Sequence, residues 1–253
     1  MEPITDRLVL DIGNSRTKAG LFRGQRLSRH AAFANGDVAA VRAMAAPGMV
    51  ETVVVGSVAR TDAAFLTVLA SIAQVRTITG DSPSHVRQRY EPPSALGADR
   101  WANVTGASLL FPGRAVLVVA LGTCVTYDLV DANGTYLGGI ISPGFRMRAR
   151  AMGEFTARLP VVAPPEEPLH LGLSTQECLA AGVHHGLRSE LLSTIAGIRQ
   201  QHGDVAVVLT GGDAPRFARA LENGIFAHPF LTLFGLYALS LHDRPAPGAL
   251  PTR

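Results

Sequence analysis

The feature that most constrains the fold is a pair of strand–turn–strand segments about a hundred residues apart. The first runs Leu8-Val9-Leu10 into Asp11-Ile12-Gly13-Asn14-Ser15 and resumes with Ala19-Gly20-Leu21-Phe22. The second runs Val116-Leu117-Val118-Val119 into Gly122-Thr123 and resumes through Val125, Tyr127 and Leu129. Each reads as a hairpin whose glycine bend brings backbone close to a ligand without a Cβ in the way. Small hydroxyl residues and bare N–H groups there suit phosphate oxygens, and a carboxylate suits a hydrated divalent cation. Two copies point to a nucleotide held by two related domains.

The pattern around the first hairpin is mixed α/β. Strands are expected at Arg7–Ile12, Thr17–Phe22, Gln25–Ala32, Thr52–Val55 and Val75–Ile78. Asn35 is expected to cap a helix over Asp37–Ala45 that Pro47-Gly48 ends, and Thr61 to cap a second helix reaching about Ile72. After a turn-rich crossover at 81–96, the order repeats: a helix over about Arg100–Phe111, then strands at Arg114–Ala120, Thr123–Leu129 and Thr135–Ile141. Ser174 and Glu177 form a capping box for a long helix to about Gln200. Val205–Leu209, a glycine turn, a helix over Pro215–Glu222 and a last helix near Leu231–Leu241 follow. Antiparallel hairpins followed by strand–helix alternation imply an α/β fold of two ribonuclease H-like domains, the unit of the actin and sugar-kinase superfamily. The expected division is 1–112, 113–244 and a flexible Pro/Gly-rich tail at 245–253.

Composition narrows the class. At 47% apolar and 17% charged, the 253 residues form an ordinary globular chain. A net charge of +3 with scattered basic residues gives no reason to expect nucleic acid. The alternating Arg146, Arg148 and Arg150 read as a solvated helix face. Cys124 and Cys178 lack metal-ligand spacing and fit a reducing compartment. His184 and His185 have no ligand partners at suitable spacing and read as ordinary helix residues. No run is long enough for a membrane span, and Glu2 and Asp6 precede any apolar stretch, so a cytoplasmic protein is expected.

Four motifs in order, Asp11-Ile12-Gly13-Asn14-Ser15, Gly97-Ala98-Asp99-Arg100, Gly122-Thr123 and Gly138-Gly139-Ile140-Ile141-Ser142-Pro143-Gly144, make the chain resemble the type III pantothenate kinase family up to about Leu241. That family includes members described as Bvg accessory factors. The resemblance implies a homodimer that phosphorylates pantothenate with ATP in the first step towards coenzyme A. It assigns ATP to Asp11, Ile12, Gly13, Asn14, Ser15, Arg16, Thr17, Lys18 and Thr123. It assigns pantothenate to Tyr90, Gly97, Ala98, Asp99, Arg100 and Thr175, with Asp99 as general base.

The chemistry of those residue types agrees, with alternatives beside each. Asp11 can hold Mg2+ through water, or close the turn on its own backbone. Ser15, Thr17 and Thr123 can donate to phosphate oxygens, and Lys18 can add a cation or be a solvated strand residue. Asp99 can take the proton of the pantothenate hydroxyl, or cap the helix it precedes, where the helix N-terminus favours its ionised form. Arg100 can bind a substrate oxygen or make a surface ion pair. Thr175 stands in the first turn of a helix, where free N–H groups favour a carboxylate. Tyr90 can offer a hydroxyl and a ring face, or simply pack. Gly211-Gly212 can pack adenosine or form a tight strand-to-helix turn. One departure from the family stands out. Where many members have a cation-binding aspartate shortly before the second Gly-Thr, this chain has Ala120, so a weak or absent requirement for a monovalent cation (K+ or NH4+) is expected, or a cation held mainly by backbone carbonyls. Two other functions stay open: a non-catalytic accessory member of the family, or a different small-molecule kinase of the superfamily.

Overall fold

The structure, a computed structural model, describes residues 6–57, 62–165, 170–218, 221 and 225–242. Its contacts divide the chain into unit 1, Met1–Leu110 with Leu231–Arg253, and unit 2, Phe111–Phe230. The tail expected at 245–253 and the expected cap Thr61 lie outside the described residues.

Unit 1 begins with an antiparallel meander, β1 (Asp6–Ile12), β2 (Thr17–Arg23) and β3 (Arg26–Phe33). α1 (Val38–Met49), β4 (Val50–Ser57), α2 (Ala63–Ile72), β5 (Gln74–Ile78) and α3 (Ala98–Leu110) follow. The sheet order is β3-β2-β1-β4-β5, with β4 parallel to both β1 and β5. Leu8, Val9 and Leu10 are all fully buried, as are Val53 and Val54. Both faces of these central strands are covered, so they read as unbroken apolar runs. The edge strand β3 is mostly exposed. Local caps differ from the sequence reading. Asp37, not Asn35, caps α1 by accepting from the Ala40 N–H at 2.9 Å, and Asp62 caps α2 through Ala64 at 3.0 Å. α1 also runs through Pro47-Gly48, whose missing N–H falls in its final turn.

Unit 2 repeats the plan with β6 (Ala115–Leu121), β7 (Cys124–Val130) and β8 (Tyr136–Pro143), then α4 (Phe145–Glu154), α5 (Thr175–His202), β9 (Val205–Thr210), α6 (Ala214–Ala218) and β10 (Ile225–Ala227). The order β10-β9-β6-β7-β8 is that of unit 1 element for element, with the same parallel and antiparallel pairs. α4 carries the arginines read as a helix face, although the sequence reading gave that helix no bounds, and β10 has no counterpart there. Val183, Leu187, Leu191 and Ile195 form a four-residue stripe along α5 that packs on Leu117, Val119, Tyr127 and Val207. The capping box is present as expected, with Ser174 accepting from the Glu177 N–H at 3.2 Å.

The last element, α7 (Leu231–Leu239), joins unit 1, where chain order alone would leave it with unit 2. It packs on α3, and the Thr232 hydroxyl donates to Asn103 Oδ1 at 2.9 Å in a buried contact. No helix among the described residues is long and apolar enough to cross a membrane.

Candidate active site

In unit 1 the β1–β2 turn is closed by the Gly13 N–H donating to the Arg16 carbonyl at 3.1 Å. Asn14, Ser15 and Arg16 project into solvent, whereas Thr17 is fully buried. The Thr17 hydroxyl donates to Asn35 Oδ1 at 2.8 Å, and Asn35 Nδ2 donates to the Gly13 carbonyl at 2.8 Å. Asn35 therefore braces both ends of the turn instead of capping α1. Sequence reasoning assigned it no role in the site, because its partners lie about 20 residues earlier.

Asp11, one residue from the end of β1, stands opposite Lys18 on β2. Burial pushes its carboxyl up from the usual 3.8 to about 6, the Lys18 charge opposes that, and the Asp99 charge adds to it. The two carboxylates assigned to metal and base thus feel one another within unit 1. Asp99 sits in the first turn of α3, after Ala98, so it is not the cap; the Gly97 carbonyl accepts the Trp101 N–H at 3.0 Å. Trp101 Nε1 donates to the Ser82 carbonyl at 2.8 Å, and Gln88 Nε2 to the Gly80 carbonyl at 2.6 Å. The first bond pins the crossover segment to α3, and the second ties the segment to its own start. Arg100 is buried, with its guanidinium 5.7 Å from the centre of the Tyr90 ring.

In unit 2 Thr123 is exposed at the β6–β7 turn, where the Gly122 N–H donates to the Cys124 carbonyl at 2.9 Å. Two other backbone segments close on this turn. The Gly144 N–H, at the start of α4, donates to the Thr123 carbonyl at 3.0 Å, and the Asp213 N–H to the Leu121 carbonyl at 3.0 Å. A Cβ on Gly144 would lie 2.1 Å from the Gly122 oxygen; one on Gly211 would lie 2.2 Å from the Leu121 oxygen, at a φ of +95°. Both positions require glycine. Ala120 pairs with Thr126 on one side and Thr210 on the other, and contributes only a methyl group.

Thr175 is exposed in the first turn of α5, beside a groove of about 650 Å³ lined by Met152, Leu159, Leu173, Ser174 and Cys178 among others. The Glu177 carboxylate accepts from the Leu173 and Ser174 N–H groups at 2.7 and 3.1 Å. A negative charge already serves this helix end, so the hydroxyl of Thr175 is its main offering to a ligand. Of the three arginines read as one solvated face, Arg146 and Arg150 are exposed, but Arg148 is partly buried against Glu190. His184 is buried, stacked on Phe217 at 5.2 Å, and burial lowers its pKa. No group of three or more His, Cys, Asp or Glu among the described residues could hold a metal by itself. A cation here would be held by one or two carboxylates together with phosphate and water, the usual manner of Mg2+.

The profile of the type III pantothenate kinase family matches residues 7–196. The chain belongs to that family. Relatives named type III pantothenate kinase include those of Porphyromonas gingivalis, 37% identical over 90% of this chain and 95% of that one, and Phocaeicola vulgatus, 36% identical over 94% and 99%. Solved structures resemble this chain in fold. A Campylobacter jejuni protein of the Baf family, named as a transcriptional activator, is 19% identical with a TM-score of 0.57 over 92% of this chain and 96% of that one. The activator of 2-hydroxyisocaproyl-CoA dehydratase from Clostridium difficile, with bound ADPNP, is 13% identical with a TM-score of 0.54 over 94% and 95%. A ROK family glucokinase from Streptomyces griseus is 15% identical with a TM-score of 0.50 over 91% and 97%. The fold is that of the actin and sugar-kinase superfamily, two ribonuclease H-like domains.

Proposed function

We propose that this protein transfers the γ-phosphoryl group of ATP to the primary hydroxyl of pantothenate, giving 4'-phosphopantothenate and ADP. Beside family membership, the observation that supports this reading is that the Asp99 charge acts on Asp11, as expected if the first phosphate turn and the Gly-Ala-Asp-Arg motif serve one site. Asp99 accepts the hydroxyl proton as that oxygen bonds to phosphorus and the bond from the γ-phosphorus to the bridging oxygen breaks. Ser15 and Thr123 donate to phosphate oxygens, Asn35 and Thr17 hold the turn that carries Ser15, and Lys18 adds positive charge. Arg100, held against Tyr90, and Thr175 orient the acceptor. The mutual repulsion of two carboxylates, one with a raised pKa, fits a divalent cation; Mg2+, held by Asp11 through water, would neutralise phosphate charge.

The exposed Ile140 and Ile141 of β8 and the exposed Leu171 and Leu173 suit a second copy of the chain, the basis for a homodimer in this reading. The substrates put it in the cytoplasm. With only a methyl group at Ala120, potassium at fixed ionic strength should activate little, and strong saturable activation would refute that point. The decisive measurement is ADP release with and without pantothenate, repeated for Asp99→Asn. Pantothenate-dependent turnover that falls about 100- to 10,000-fold in the variant is expected. Equal ATP turnover with and without pantothenate would refute the kinase reading.

A further inference from the structure

Glu190 lies in the middle of α5, beside the apolar stripe, and its carboxylate gathers donors from three other elements. Oε1 accepts from the Tyr127 hydroxyl of β7 at 2.9 Å. Oε2 accepts from the Ser142 hydroxyl of β8 at 2.9 Å and from the Arg148 guanidinium of α4. Arg148 also donates to Ser142 Oγ and to the Pro143 carbonyl, each at 2.8 Å. Burial opposes the charge on Glu190, but the bonds from Arg148, Ser142 and Tyr127 outweigh it and hold the carboxyl below its usual range.

α5 needs none of this to stay in place, because Val183, Leu187, Leu191 and Ile195 already seat it on the sheet. A charge pair withdrawn from water is weak as a source of stability, and its firmer use is to select one geometry. Two of the three partners, Ser142 and Arg148, grip the corner where β8 turns into α4, and Arg148 also binds the corner's Pro143 carbonyl. The next residue is Gly144, whose N–H holds the Thr123 carbonyl and which has no room to move inward.

We propose that Glu190 is a positioning residue for the nucleotide: through Arg148 and Ser142 it fixes the β8–α4 corner, and the Gly144 amide passes that position to the Thr123 turn. The proposal rests on the kinase reading only for what Thr123 contacts. It requires no contact between Glu190 and any substrate.

The test compares wild type, Glu190→Gln and Tyr127→Phe by calorimetric titration with Mg-ADP, by KM for ATP and for pantothenate, and by Tm. Glu190→Gln keeps size while removing the charge that three donors share, so ADP affinity should fall about tenfold. KM for ATP should rise in parallel while KM for pantothenate stays within about twofold. Tyr127→Phe removes one donor and should weaken ADP by about two- to threefold, which keeps the test open if Glu190→Gln fails to fold. Unchanged ADP affinity in folded variants, or equal rises in both KM values, would overturn the proposal. Weaker ADP binding in Glu190→Gln without any pantothenate-dependent turnover in wild type would support this inference while refuting the kinase reading.

Discussion

Asp11 is where the proposed function and stability oppose one another. Its folded-state pKa of about 6 lies above the ordinary 3.8, so folding favours the protonated carboxyl. As pH rises from about 4 to 6, the unfolded chain gives up the proton first, and the folded state loses stability across that window. The shift corresponds to a penalty on the order of 3 kcal/mol above pH 6 in the absence of metal. Asp11→Asn should therefore raise the Tm of the metal-free protein at pH 7.5, with the advantage gone near pH 4, while turnover falls by on the order of a hundredfold. Thermal melts of both proteins across that range decide it; a lower Tm for the variant at pH 7.5 would contradict it. Asp11, Asp99 and Thr123 could be nominated from the sequence because each sits in a short local motif that contains glycine. Asn35 was not. Its pattern allows a helix cap, and only the folded sheet brings it to Gly13 and Thr17. Arg148 left a signal that went unused: at 100° per residue, positions 146 and 150 share a helix face and 148 lies opposite.

At the scale of elements, hairpins and the capping box followed from alternation, glycine turns and the Ser-x-x-Glu spacing, all of which act over a few residues. α4 was legible as a helix but not as a packed one, because FRMRARAMGE is rich in arginine, though Phe145 and Ala149 bury one side. Its start matters most. With a Cβ only 2.1 Å from the Gly122 oxygen and 2.6 Å from that of Thr123, Gly144→Ala must push α4 and the Thr123 turn apart. We expect ATP affinity to fall at least tenfold while KM for pantothenate changes little, with a loss of about 1–3 kcal/mol in stability. Nucleotide titration and urea unfolding measure the two effects separately. An alanine variant with wild-type ATP affinity would show that the turn does not depend on this close contact.

At the scale of the molecule, repetition of the motif foretold repetition of the sheet, and in both units a parallel strand lies beside the glycine hairpin. Repetition could not foretell which unit the last helix would join, because no local pattern records a partner more than a hundred residues away. α7 buries Leu231, Leu233, Leu236 and Leu239 almost completely, and it packs on α3, β1, β2 and β4. At about 1.5–3 kcal/mol for each buried leucine, these four side chains match the whole stability of an ordinary domain. Unit 1 is thus incomplete until the end of the chain has been made. Met1–Leu110 expressed alone should lack a cooperative thermal transition, and joining residues 231–242 to its end through a Gly/Ser linker should restore one. Circular dichroism melts of the two fragments provide the check. Cooperative melting of the shorter fragment at the same temperature as the longer would mean that α7 covers unit 1 without completing its core.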